Sequence, residues 1–149
     1  MTGSVAAVYV DTSALAKWYL NEPGSEDFAD WIVAEPEPWI STLTSLEMRC
    51  LLARRRRAGE ISDAIEQRAL ATFEEDLVYG HLFLYPIDDD AVRGGHALIG
   101  RLSELPLRTL DALHLALARQ LGAARLATAD ATMAAAASAL GLEAVRFGD

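Results

Sequence analysis

Short, almost wholly apolar runs alternate along this chain with stretches of helical period. Val5 to Val10 is apolar nearly throughout, as a strand buried on both faces would be. Asp11, Thr12 and Ser13 end it and can cap a helix over Ala14–Leu20. Pro23 and Gly24 break the chain, and Ser25 opens a second helix with Phe28, Trp31 and Ile32 at helical spacing. Glu35 to Pro38 reads as a loop and Trp39 to Ser41 as a short strand. A long helix starts at Thr42 or Thr44 and stops near Gly59, and another starts at Ser62–Asp63 with Ile65, Ala69, Phe73 and Leu77 on one stripe. Leu82–Tyr85 is a third strand, closed by Pro86. Asp88–Leu102 is helical despite Gly94 and Gly95. Thr109 caps an apolar helix, Leu110–Leu121, that stops at Gly122. Arg125–Thr128 is a strand, Asp130 caps an alanine-rich helix, and a last strand lies around Glu143–Val145.

This alternation predicts an α/β fold, an α/β/α sandwich with a central parallel sheet, and the whole chain, 1–149, as a single domain. In such sheets ligands bind beyond the carboxyl ends of the strands, where strand order switches. Asp11 follows the first strand and Asp130 follows Arg125–Thr128 at a similar offset, so both point to one rim.

Composition narrows the function. At 149 residues, 52% of them hydrophobic, the chain can bury a real core. No apolar run reaches the ~18–20 residues of a membrane span, and no basic stretch precedes Val5, so neither a membrane segment nor a signal peptide is expected. A cytoplasmic protein follows, with the single Cys50 as a small core residue. A net charge of −9 argues against a broad basic surface coating nucleic acid, but not against an enzyme handling one phosphate at a time beside a metal. Arg54, Arg55, Arg56 and Arg57 form one basic block, readable as a solvated helix end or as a contact for RNA or a partner. Trp18, Trp31 and Trp39 read as packing anchors rather than base-stacking platforms.

Four acids stand where acids are costly or specially aimed. Asp11 could simply cap a helix, and Thr12 or Ser13 could take over that role and free its carboxylate. Glu47 has Leu43, Cys50 and Leu51 as helical neighbours, so it lies on or beside an apolar stripe and needs compensation, from an arginine of another helix or from a cation. Asp111 sits in the first turn of its helix, where the dipole favours an anion. Asp130 could be a plain cap, with Thr128 orienting it or binding a metal-held water. His114, with no zinc-like spacing around it, reads as a packing or hydrogen-bonding residue. Carboxylates gathered on one rim repel unless a cation joins them, and a hard divalent metal held by oxygens is the simplest solution.

The pieces Val8–Leu15, Ser45–Arg49, Leu110–Ala118 and Leu126–Asp130, in that order and spacing, resemble a PIN domain, and most of all the VapC toxins of bacterial type II toxin–antitoxin pairs. The resemblance spans nearly the whole chain. It implies a Mg²⁺- or Mn²⁺-dependent ribonuclease whose four site acids correspond to Asp11, Glu47, Asp111 and Asp130, with Ser13 or Thr12 as the hydroxyl that orients the first acid. It also implies a cognate VapB-like antitoxin that blocks the site, often with an inserted basic side chain, and common homodimerisation.

The expected reaction is hydrolysis of an RNA phosphodiester by metal-activated water. Asp11 and Asp111 would hold the principal metal, and Glu47 and Asp130 would complete the site directly or through water. Three rivals differ in class. A haloacid-dehalogenase-type phosphatase needs a second acid where Ser13 stands and a lysine downstream of it, yet the only lysine is Lys17. A catalytically inactive PIN-like binding module would not need four acids. DNA cleavage as in flap nucleases would need a threading arch, for which the chain shows no obvious room.

Overall fold

The computed structural model describes residues 6–148. In chain order they form β1 (Ala7–Val10), α1 (Thr12–Tyr19), α2 (Ser25–Ile32), β2 (Glu37–Ser41), α3 (Thr42–Arg57), α4 (Asp63–Val78), β3 (Phe83–Tyr85), α5 (Asp89–Arg101), α6 (Thr109–Leu121), β4 (Arg125–Thr128), α7 (Ala131–Ala139) and β5 (Glu143–Arg146). The strands form one sheet, ordered β3-β2-β1-β4-β5, and each neighbouring pair is parallel. From β1 the chain steps outward through β2 and β3, then returns to the other side of β1 as β4. The order therefore reverses between β1 and β4, which is where a parallel sheet opens a crevice at its carboxyl edge.

Residues two apart in a strand share a face, and this divides the core into two layers. Val8 and Val10 pack with Leu15, Phe28, Met48 and Phe73 from the helices α1 to α4. Tyr9 and Leu126 pack with Leu98, Leu115, Leu121 and Met133 from α5, α6 and α7. The α/β/α sandwich expected from the alternation is thus the observed fold. Trp18 and Trp31 border the first layer beside Phe28, and Trp39 stacks edge-on to Phe83 with ring centroids 5.3 Å apart, so all three are packing residues. Among the described residues no helix is long and apolar enough to cross a membrane.

Several local expectations change. The strand expected from Val5 begins at Ala7, and Val5 itself lies outside the described residues. Strand β2 starts at Glu37 and contains Pro38, which was expected in a loop. Pro38 pairs only with β1, because β3 does not begin until opposite Trp39, and a proline is tolerated where one side of the strand is unpaired. Thr109 is the first helical residue of α6 and not its cap, which is Arg108. On α4, Ala69 and Phe73 are buried as the stripe requires, but Ile65 is 40% exposed. Glu66 is buried instead, its carboxylate accepting from Arg49 at 3.2 Å and Arg56 at 2.8 Å. Cys50 is exposed rather than in the core. Helix α3 turns Met48 and Leu52 inward, which leaves Glu47, Cys50, Leu51 and Arg54 on a different side.

Candidate active site

Asp11 continues the sheet one residue beyond β1, its N–H donating to the Ala127 carbonyl of β4 at 3.0 Å. Its side chain is buried at the switch point, and both of its oxygens accept hydrogen bonds, two at Oδ1 and one at Oδ2. Oδ1 accepts from the Ala14 N–H at 3.0 Å and the Ser13 hydroxyl at 2.7 Å, and Oδ2 accepts from the Thr128 hydroxyl at 2.6 Å. Asp11 therefore caps α1 itself, and neither Thr12 nor Ser13 relieves it of that role. The two hydroxyls that hold it also reach into the β4–α7 connection. Ser13 Oγ accepts from the Ala129 N–H at 2.9 Å and Thr128 Oγ1 from the Asp130 N–H at 3.0 Å. Thr128 is thus turned to the Asp11 carboxylate rather than to that of Asp130. Burial pushes the Asp11 pKa above the ordinary carboxylate range, although the nearby His114 and the bonds from Thr128, Ser13 and Ala14 pull the other way.

Glu47 comes from α3 and is half-buried. Its bonded partners among the described residues do not include an arginine. Its Oε1 instead accepts the Thr12 hydroxyl at 2.7 Å and a bond from His114 Nε2 at 2.5 Å. Burial alone would raise its pKa, but the bonds and charge of His114 and the bond from Thr12 outweigh it and hold the group below the usual range. Asp111 is the third residue of α6, and its Oδ2 accepts from the Arg108 N–H at 3.2 Å, with the Arg108 guanidinium 3.7 Å away. Asp130 caps α7, Oδ2 accepting from the Met133 N–H at 2.8 Å.

These acids share a design. Glu47, Asp111 and Asp130 each have one carboxylate oxygen pinned by the protein. Among the described residues, the other oxygen (Glu47 Oε2, Asp111 Oδ1, Asp130 Oδ1) accepts no hydrogen bond. All four acids line one cleft of about 410 Å³, together with Thr12, Ser13, Arg54, Arg108 and His114. Among the described residues no group of three or more His, Cys, Asp or Glu side chains stands close enough together to hold a metal ion without rearrangement. The donors form an open, all-oxygen set. That suits Mg²⁺, which keeps several waters and takes only one or two carboxylates directly, or the similar Mn²⁺. His114 is not available as a ligand, since Nε2 meets Glu47 and Nδ1 meets Tyr9 Oη at 2.6 Å.

The phosphatase alternative finds no support here. The position two residues after Asp11 is a hydroxyl that bonds Asp11, and Lys17 is engaged with the Pro23 carbonyl at 2.5 Å and with Glu22, outside the cleft. The arginine block divides: Arg55 pairs with Glu22 and Glu60 and Arg56 with Glu66, while Arg54 faces the cleft without an ion-pair partner among the described residues. Sequence reasoning missed Tyr9 and Arg108. A phenol in an otherwise aliphatic buried strand was a usable signal for Tyr9, because its hydroxyl must find a partner. Arg108 gave none beyond its place next to a helix start.

Comparison with known proteins identifies the family and the fold. The family model described as "PIN domain" matches residues 8–139. Ribonuclease VapC46 of Mycobacterium tuberculosis is 35% identical over 144 residues, covering 95% of this chain and 98% of that protein. The crystal structure of Mycobacterium tuberculosis VapC20, described as a Sarcin-Ricin loop cleaving toxin, superposes with a TM-score of 0.73 at 20% identity over 94% of this chain and 99% of that one. DNA-bound VapBC from Salmonella typhimurium gives 0.66 at 17% identity, covering 94% of this chain and 97% of that one. At such identities the structures speak for the fold, whereas the family match and the 35% identical relative speak for descent. The chain belongs to the PIN-domain family, in its VapC branch.

Proposed function

We propose that the chain is a metal-dependent endoribonuclease and the toxin of a toxin–antitoxin pair. The observation that carries this reading is the set of four acids lining one cleft at the β1/β4 switch point, three of them with one carboxylate oxygen that accepts no hydrogen bond among the described residues. Asp11 and Asp111 would hold Mg²⁺ or Mn²⁺, with Glu47 and Asp130 completing the site directly or through water. When bound, the cation supplies activation of water and neutralisation of charge at the phosphorus. Ser13 and Thr128 keep the Asp11 carboxylate in place, and Thr12 and His114 do so for Glu47. Arg54 and Arg108 are the cations on the cleft wall, suited to the phosphates flanking the scissile one. Hydrolysis by water leaves a 5′-phosphate and a 3′-hydroxyl. The purified chain should cut RNA with Mn²⁺ or Mg²⁺ and stop in EDTA. Cleavage that persists in EDTA, or that leaves a 2′,3′-cyclic phosphate, contradicts the reading.

A VapB-like antitoxin is the proposed partner, its support being the relatives solved as VapBC assemblies. An acid-lined cleft in a chain of net charge −9 suits a basic side chain inserted by that partner. Homodimerisation and a cytoplasmic location belong to the same reading. The wall arginines give a separate prediction. Arg54→Ala and Arg108→Ala should each raise KM for RNA roughly fivefold, about 1 kcal/mol, the upper end for an exposed ion pair. The effect should shrink at high salt, and Arg57→Ala, outside the cleft, should leave KM unchanged. Steady-state kinetics at two salt concentrations checks this, and a KM equal to that of the unaltered chain in both cleft variants would separate these side chains from the substrate.

A further inference from the structure

We propose that His114, backed by Tyr9, is a positioning residue that fixes which Glu47 oxygen faces the cleft. This rests on the ribonuclease reading above. His114 is 3% exposed on α6, one turn beyond Asp111, and reaches across to α3, where Nε2 lies 2.5 Å from Glu47 Oε1. Its Nδ1 lies 2.6 Å from Tyr9 Oη, and Tyr9 Oη lies 2.8 Å from the Ser41 hydroxyl that caps α3. The chain of bonds therefore joins β1, the start of α3 and α6, and ends on a site carboxylate.

A carboxylate only accepts, so Nε2 carries the proton in the bond to Glu47. With that proton fixed, the ring is steered through Nδ1, and among the described residues only Tyr9 bonds to Nδ1. Tyr9 is fully buried, and a phenylalanine there would fill nearly the same space with no polar atom to satisfy. Its hydroxyl is explained by what it holds. Glu47 is a long, flexible side chain, and a free one would have to be ordered each time it engaged a ligand. With Oε1 clamped by Thr12 and His114, Oε2 is presented in one orientation. Partners of this kind behind carboxylate ligands typically change metal affinity or activity by roughly 10–100-fold.

The test uses His114→Ala, His114→Gln and Tyr9→Phe in the full chain, with Mn²⁺ binding measured by calorimetry without RNA and kinetics measured with RNA. His114→Ala should bind Mn²⁺ about tenfold more weakly and lose about tenfold or more in kcat, with KM for RNA unchanged. Glutamine can still donate to Glu47 Oε1, so His114→Gln should recover most of both losses. Tyr9→Phe should fall between the two, and it carries the test if His114→Ala does not fold. Mn²⁺ affinity and kcat within twofold of the unaltered chain in folded variants overturn the inference, as does a glutamine variant no better than alanine. If the unaltered chain binds Mn²⁺ but cuts no RNA, the ribonuclease reading fails while the binding arm still decides the role of His114. If it binds no Mn²⁺, both fall.

Discussion

Asp11→Asn should lower metal-dependent RNA cleavage by about a thousandfold or more and leave the chain folded. A bound divalent metal supplies several kcal/mol of transition-state stabilisation, and each ~1.4 kcal/mol is tenfold in rate. Asparagine keeps what Asp11 does for the fold. It is as good a helix cap, its carbonyl oxygen can still accept from Ala14 and Ser13, and its amide can donate to Thr128 Oγ1. The charge is lost, and the Thr128 hydroxyl turns from donor to acceptor at this position. The raised pKa of Asp11 adds a sign to the prediction. The folded chain holds this proton more tightly than the unfolded chain does. The group's stabilising contribution is therefore complete below the unfolded pKa and is lost as pH rises through the folded one. In EDTA at neutral pH the buried carboxylate is a cost, so Asp11→Asn should melt at or above the temperature of the unaltered chain. At pH values below both pKa values that advantage should vanish. Cleavage assays paired with melting curves check both halves. A folded variant that retains a tenth of the cleavage rate would remove Asp11 from the chemistry.

Mn²⁺ at 100 times its dissociation constant should raise Tm by about 5–10 °C. Binding to the folded state alone contributes about 2.7 kcal/mol at that concentration, and 1 kcal/mol moves Tm roughly 2–4 °C in a chain of this size. The rise should be larger above the Asp11 titration than below it, since only the ionised carboxylate attracts the cation. It should be mostly absent in Asp11→Asn and in Asp111→Ala. Melting curves across a Mn²⁺ titration measure it. An equal rise in those variants would locate the bound ion elsewhere on this acidic chain.

The layering was legible because its causes are local. Apolar runs of strand length between helical stretches leave few arrangements other than a parallel sheet covered on both faces. That Asp11, Asp111 and Asp130 line one cleft was legible for a related reason, since strand-end and helix-start positions have a fixed geometry that sequence alone exposes. What stayed hidden depends on contacts between distant elements. Glu47 was seen to need compensation, but its partners are Thr12 of α1 and His114 of α6, 35 and 67 residues away. Cys50 was misplaced because a helix with arginines along one end and apolar residues on two sides does not declare which side meets the sheet. The same ambiguity concealed that only Arg54 of the basic block turns into the cleft. Residue type alone places Pro38 in a loop, whereas its tolerance in β2 depends on where β3 begins.

The most direct measurement is an anomalous difference map from crystals of the chain grown with Mn²⁺. A peak in the cleft within about 2.0–2.5 Å of Asp11 or Asp111 oxygens, with Glu47 and Asp130 bound to it directly or through ordered water, is the predicted result. A saturated crystal with Mn²⁺ at other carboxylates and none in this cleft would contradict the account.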